Sequence, residues 1–153
     1  MSYSAADGRQ QLLDTLADAT DRLGSALASL GAAYDVLDEH AGDRLETELF
    51  RPVQLAYGRA QRTHSSFAGR YGLPARTFEA TGAPLVHPGH AQDAIEDALG
   101  AVSEADGRLS TLQDSMLPVE VGDRELRSGL TEVRTLIGGL PDRARDLMRT
   151  LGR

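Results

Sequence analysis

One stretch of the chain gathers the side chains that could do chemistry: "YGRAQRTHSSFAGRYGLP", residues 57–74. Its histidine, His64, stands at helical spacing from Tyr57, Phe67 and Tyr71. An imidazole among aromatic rings can serve as a general base, or it can orient a small ligand in an apolar pocket between helices. On a wheel of about 100° per residue, Leu49, Val53, Ala60, Phe67 and Tyr71 share one face, and His64 falls within it beside Val53 and Tyr57. The spacing therefore predicts a buried histidine. A lone histidine on an apolar face is more often a core residue bonded to a tyrosine hydroxyl, a carbonyl or Thr20 than a catalyst. No nucleophile or metal partner stands at a diagnostic spacing from it.

The arginines of the same region point the other way. Arg51, Arg59, Arg62 and Arg70 lie within about 100° of one another, opposite the apolar face. From Arg51 to Arg76 the chain has five arginines and no acid, although its formal net charge is −7. The plainer account is a solvated face paired with acids of a neighbouring helix. The sharper one is a basic stripe that grips an acidic partner or a second copy of the chain through charge-assisted, bidentate contacts. "DVLDEH" (35–40) and "DAIEDAL" (93–99) are acid-rich enough to receive it.

A third constellation is "HPGH", which sets His87 and His90 three apart with Asp93 and Asp97 following. With the two histidines and Asp93 as ligands it would be a surface metal site. Zinc usually needs three or four rigidly held ligands, and Pro88 at a first helical position accounts for the motif without metal. There is no Glu-x-x-His pair of the di-iron bundles, no Gly-x-Ser-x-Gly, no His-Glu-x-x-His and no phosphate-binding glycine loop. Cysteine and lysine are both absent, which removes disulfides, thiolate chemistry, Schiff bases and the P-loop. No cofactor is implied, and an enzyme is the reading with least support.

The elements that would position these residues are helical. Leu and Ala dominate the apolar residues, and Ile occurs only at 95 and 137, which favours helix over strand. In the first block Leu16, Leu23, Leu30 and Leu37 recur every seven residues, interleaved with Leu13, Thr20, Leu27, Tyr34 and Ala41. That is a heptad seam. Ala19, Ala26 and Ala33 flank it on one side, and Ala17, Gly24 and Gly31 on the other, so neighbouring backbones should approach closely on both sides of a central helix. Ser4 and Asp7 form its N-cap. The second block carries Leu49, Val53, Ala56, Ala60 and Phe67, with Pro52 at its start or at a kink. The third sets Ile95, Val102, Leu109 and Met116 against Ala91, Ala98, Ala105 and Leu112. The fourth sets Leu126, Val133, Leu140 and Leu147 against Leu130, Ile137, Ala144 and Leu151.

Two connections share Gly-Asp-Arg: "AGDRLE" (41–46), where Gly42 ends one helix and Asp43 caps the next, and "VGDREL" (121–126), where Asp123 does the same. Gly72-Leu-Pro reads as a helix stop. Gly139-Leu-Pro reads as a kink, because the apolar phase runs through it. "LPARTFEATGAPLVHP" (73–88) has three prolines and no helical period, so it is a long crossing loop, anchored by Arg76, Phe78 and Leu85.

The expected fold is all-α: a four-helix bundle of long antiparallel helices with heptad-like seams. It forms one domain over 1–153, as hairpin 4–72, loop 73–88 and hairpin 89–151. The acidic charge argues against nucleic acid as a partner. No apolar run is long enough to span a membrane, and "MSYSAADGRQ" lacks the pattern of a signal peptide, so a cytoplasmic location is expected. Arg in place of Lys, with no Asn, reads as a GC-rich bacterial genome. The leading functional expectation is a non-catalytic interaction or accessory protein that self-associates or binds a protein partner. The alternative is a bundle that binds a small molecule at His64, Tyr57, Phe67 and Tyr71, or a metal at His87, His90 and Asp93.

Overall fold

A computed structural model of the chain describes residues 4–151. Residues 1–3 and 152–153, the ends of the expected 1–153 domain, lie outside it. Most of the described residues are helical, with no strand among them. The helices are α1 (Ala5–Val36), α2 (Glu39–Leu45), a π-helical segment (Glu46–Phe50), α3 (Arg51–Arg70), α4 (Ala91–Asp114), α5 (Leu117–Glu120), α6 (Arg124–Ile137) and α7 (Leu140–Leu151).

α1 is the central helix. It packs most extensively on α4 and next on α3, while α3 in turn packs on α6. Its Leu12, Leu13, Leu16, Leu23 and Leu30 are buried together with Ala19, Ala26 and Ala33. Ser4 caps α1 through a full capping box: its side chain accepts from the Asp7 N–H, and Asp7 accepts from the Ser4 N–H. Ion pairs tie α1 to α4, Arg22 to Glu104 at 3.2 Å and Arg108 to Asp18 at 3.7 Å.

The first turn differs from expectation. α1 ends at Val36, because Leu37 adopts an extended conformation (φ −93°, ψ 156°). Asp38, not Asp43, caps the next helix by accepting from the Ala41 N–H at 2.8 Å. Asp43 lies exposed inside α2, and Gly42 is a buried helical residue whose missing side chain leaves room for the Tyr34 ring. An aspartate two residues beyond a break in the apolar seam can begin a helix as well as one beyond a glycine, and here the earlier one does.

Pro52 neither starts a helix nor breaks one. Leu45, Glu46, Phe50 and Arg51 all keep right-handed helical dihedrals, so α2, the π segment and α3 form one continuous rod. Its register widens just before the proline, where the Arg51 N–H donates to the Glu46 carbonyl, five residues back. Pro52 has no N–H for the Glu48 carbonyl and its ring crowds that oxygen. A π turn adds one residue where a regular turn would meet this conflict.

Gly72 ends α3 as expected. Its φ is +64°, the Leu73 N–H reaches back to the Ala68 carbonyl at 2.9 Å, and the Gly72 N–H to that of Gly69, which is a Schellman motif. α4 begins at Ala91 rather than at Pro88, because Gly89 turns the chain with φ +88°. α4 ends at Asp114, so Met116 lies beyond its seam and is exposed. Asp123 caps α6 by accepting from the Leu126 N–H. At Gly138-Gly139 the helix is interrupted, with Gly138 still in right-handed helical dihedrals, and α7 resumes at Leu140. Leu126, Leu130, Val133, Ile137, Leu140, Ala144 and Leu147 are buried across the break, which explains why the apolar phase runs through it.

α6 passes close to α3 at Gly129. A Cβ placed there would lie 2.3 Å from Thr63 Oγ1 and 2.7 Å from its Cγ2. Arg59 pairs with Glu132 on one side of this contact, and Arg70 with Asp123 and Glu125 on the other, each at 2.7–2.9 Å. No described helix is long and apolar enough to cross a membrane.

Candidate functional site

His64 is buried, as its helical phase requires. It does not line an open pocket. The ring meets Phe78 of the crossing loop edge-on, with centroids 5.3 Å apart. Its Nδ1 has no hydrogen-bond partner among the described residues. Thr20, one of the three kinds of partner expected from the sequence, instead donates to the Leu16 carbonyl of its own helix at 2.7 Å. Burial pushes the imidazole below its ordinary value of 6.5, the nearby Arg76 pushes the same way, and Asp14 opposes them. His64 is therefore neutral at pH 7 and forms part of the seat for the loop.

One other loop residue completes that seat. Arg76 pairs with Asp21 of α1 at 2.9 Å, and its guanidinium lies 4.8 Å from the centre of the Phe78 ring. Leu85, expected as a further anchor, is 95% exposed and holds nothing.

Of the four residues proposed to share a ligand pocket, Tyr57 lines the groove described below and His64, Phe67 and Tyr71 do not. Phe67 is fully buried in the core. Tyr71 packs on Phe67 with centroids 4.7 Å apart, and Arg9 lies over the Tyr71 ring, 4.1 Å from its centre. Tyr57 borders a groove of about 600 Å³ between α1, the π segment, α3 and the crossing loop. Gly24, Leu27, Ala28 and Gly31 of α1 form its floor. Tyr34, Phe50 and Tyr57 supply aromatic walls, Ala80, Thr81 and Ala83 of the loop close one side, and Asp35 and Glu46 complete the lining.

Two glycines shape this groove in different ways. A Cβ on Gly24 would lie 3.2 Å from the Tyr57 ring, so the ring leans against α1 there. A Cβ on Gly31 would meet nothing within 4 Å. The sequence pattern had marked Gly24 and Gly31 as sites of close helix approach. At Gly31 no helix approaches, and the space is groove. Burial raises the Tyr57 phenol above its ordinary 10.0, Asp21 adds to this and Arg76 opposes it, so the hydroxyl stays protonated.

The arginine stripe divides into two columns. Arg59 and Arg70, on the side toward α6, are taken up by Glu132, Asp123 and Glu125 within the chain rather than by the acids at 35–40 or 93–99. Asp123 binds Arg70 with both oxygens while capping α6. Burial alone would raise the Asp123 carboxyl, but the Arg70 and Leu126 hydrogen bonds and the Arg70 charge outweigh it and hold it low. Arg51 and Arg62, on the solvent side, are exposed with Leu55 between them, which is 55% exposed.

At the start of α4, His87 and His90 stand with ring centroids 6.4 Å apart, and His90 Nδ1 lies 3.4 Å from Asp93 Oδ2. Among the described residues no group of three or more acidic or histidine side chains is placed to hold a metal ion.

Comparison with protein-family models, with curated proteins and with solved structures finds no match to this chain.

Proposed function

We propose that the chain is a non-catalytic, small-molecule-binding helical bundle, with its ligand in the groove between α1, the π segment and the 73–88 loop. The observation that carries this reading is Gly31. On a central helix with leucine and alanine buried on either side, it faces space that no neighbour fills. The groove is of the size that small-molecule sites usually have, about 300–1,000 Å³, and its lining of small and aromatic residues with few polar groups is also typical. Among the described residues no hydrogen-bonded pair of base and nucleophile lines it, which favours binding over catalysis.

The bundle itself we read as four rods, α1, α2–α3, α4 and α6–α7, joined antiparallel with heptad-like seams. The α1–α4 pairs, Arg22–Glu104 and Arg108–Asp18, support opposite directions, as do Arg59–Glu132 and Arg70–Asp123 between α3 and α6. The buried heptad positions of α1, α4 and α6–α7 support the seams.

The test uses three tricyclic fluorophores of nearly one shape: 10-methylacridinium, acridone and anthracene-9-carboxylate. Saturable one-to-one binding of at least one of them is expected, lost in Gly31→Leu and in Ala28→Leu. Wild type that binds none of the three sinks this reading.

A second reading, contact with an acidic partner or a second copy of the chain, is favoured by the column Arg51, Leu55 and Arg62. It joins two exposed guanidinium groups with an exposed apolar side chain. Sedimentation of wild type and of Arg51→Glu with Arg62→Glu separates the two, since this column is not part of the groove lining.

A further inference from the structure

Resting on the ligand-binding reading above, we infer that the groove selects an organic cation: an amine or quaternary ammonium carried on an apolar, ring-sized body. The first ground is the sign of its lining. Arg accounts for all 16 basic residues of the chain, yet no Arg and no His lines the groove, whereas two carboxylates, Asp35 and Glu46, do. Neither of these makes an ion pair or hydrogen bond among the described residues. Elsewhere Asp18, Asp21, Glu104, Asp106, Asp123, Glu125 and Glu132 are each paired with an arginine. Arg76, the basic residue of the adjoining loop, is held away from the lining by Asp21 and Phe78.

The second ground is the end of α1. Helix carbonyls gather partial negative charge at a C-terminus, and a cation there is stabilising. The last turn of α1 has no basic residue and holds Asp35 instead. Asp35 thus adds like charge to a negative helix end, an arrangement that a bound cation relieves.

The third ground is the walls. Tyr34, Phe50 and Tyr57 line the same space. A ring attracts a cation over its face through its quadrupole, most where water is displaced. The apolar floor from Gly24 to Gly31 takes the body of such a ligand, and the carboxylate end takes its charge. An anion of the same shape meets two carboxylates and no donor of opposite sign.

The three fluorophores test this order directly. 10-Methylacridinium should bind about tenfold more tightly than acridone, equivalent to about 1.4 kcal/mol, and anthracene-9-carboxylate should bind weakest. Asp35→Asn combined with Glu46→Gln should bring the affinity ratio of the cation to acridone down from about tenfold to about one. Both positions are exposed, so the double variant should fold, and circular dichroism confirms it. Added salt should weaken the cation's binding and not that of acridone. Equal binding of cation and neutral probe, preference for the anion, or a double variant that keeps the cation preference each overturns the inference while leaving the groove a ligand site. Failure of all three probes on wild type instead removes the ligand-binding reading itself.

Discussion

The same substitution, glycine to alanine, should have opposite effects at two helical positions of this protein. In a helix interior Ala is favoured over Gly by about 0.8–1 kcal/mol, and part of this acts through the unfolded chain. At Gly31 a Cβ meets no atom within 4 Å, so nothing offsets the gain. Gly31→Ala should stabilise the protein by about 0.5–1 kcal/mol. At Gly129 the same Cβ would stand 2.3 Å from Thr63 Oγ1, 2.7 Å from Cγ2 and 3.1 Å from Cβ. Ordinary contact begins near 3.4 Å, so the two helices must separate by about 1 Å there. Turning Thr63 about χ1 does not help enough, because its Cβ stays at 3.1 Å and its hydroxyl is held by the Arg59 carbonyl at 2.8 Å. Overpacking of this kind costs about 1–3 kcal/mol. Set against the propensity gain, Gly129→Ala should destabilise by about 1–2 kcal/mol. For a chain of this length each kcal/mol moves Tm by about 2–4 °C. Urea melts with a common m-value measure both effects. Thr63→Ala should recover part of the loss in the Gly129→Ala background, with a coupling above about 0.5 kcal/mol. If Gly129→Ala is neutral or stabilising, α6 does not approach α3 at this residue, and the close contact described above is wrong.

Three further outcomes are expected. Asp38→Ala and Asp123→Ala should each cost about 0.5–2 kcal/mol as lost N-caps, with Asp123→Ala the larger because it also releases Arg70; Asp43→Ala should stay within about 0.5 kcal/mol in the same denaturant melts. The folded-state pKa of His64 lies below its unfolded value, so the unfolded chain binds the proton first as pH falls. Its contribution is complete above the ordinary 6.5 and declines as pH drops from there toward the folded pKa, beyond which it falls no further; His64→Leu should flatten melts recorded from pH 8 to pH 5 in that window, and an unchanged slope would mean that His64 titrates as if exposed. Finally, Arg59→Glu with Arg70→Glu should destabilise by about 1–3 kcal/mol, since it sets like charges against Glu132, Asp123 and Glu125. Arg51→Glu with Arg62→Glu should leave stability within about 0.5 kcal/mol, and thermal melts of the two pairs side by side decide whether the stripe divides as described.

The sequence was most informative where one physical requirement dominates. Burial of an apolar stripe fixed α1, α4 and the continuous phase across Gly138–Gly139, and it placed His64 inside. Capping chemistry fixed Ser4, Gly72 and Asp123, since each supplies a partner that the backbone at a helix end must find. It misled at Asp43, because Asp38 offers the same carboxylate five residues earlier and only the extended Leu37 decides between them. The arginine stripe was visible as a charge pattern, but a span of about 100° covers both a neighbouring helix and solvent. Which side Arg59 and Arg70 take depends on where α6 lies, and no residue of α3 encodes that.

The groove shows the same limit more sharply. Gly24, Gly31 and Gly129 are identical in sequence terms: each is a glycine inside a helix, where it costs stability unless its missing side chain serves something. At Gly129 it serves the close passage of α6, and at Gly24 it receives the edge of Tyr57. At Gly31 neither neighbour is present, although the heptad pattern around it reads like that of a packed seam. What separates Gly31 from the other two is the route of the 73–88 loop. Arg76 and Phe78 hold that loop against Asp21 and His64, one helical stretch away from Gly31, and Ala80–Ala83 then form a wall across open space instead of filling it. A proline-rich loop carries no periodicity from which such a route can be read, so the helices were legible in the sequence and the space between them was not. His64, the residue that first drew attention as a ligand site, thus has its structural consequence at a distance: it seats the loop whose next residues bound the groove.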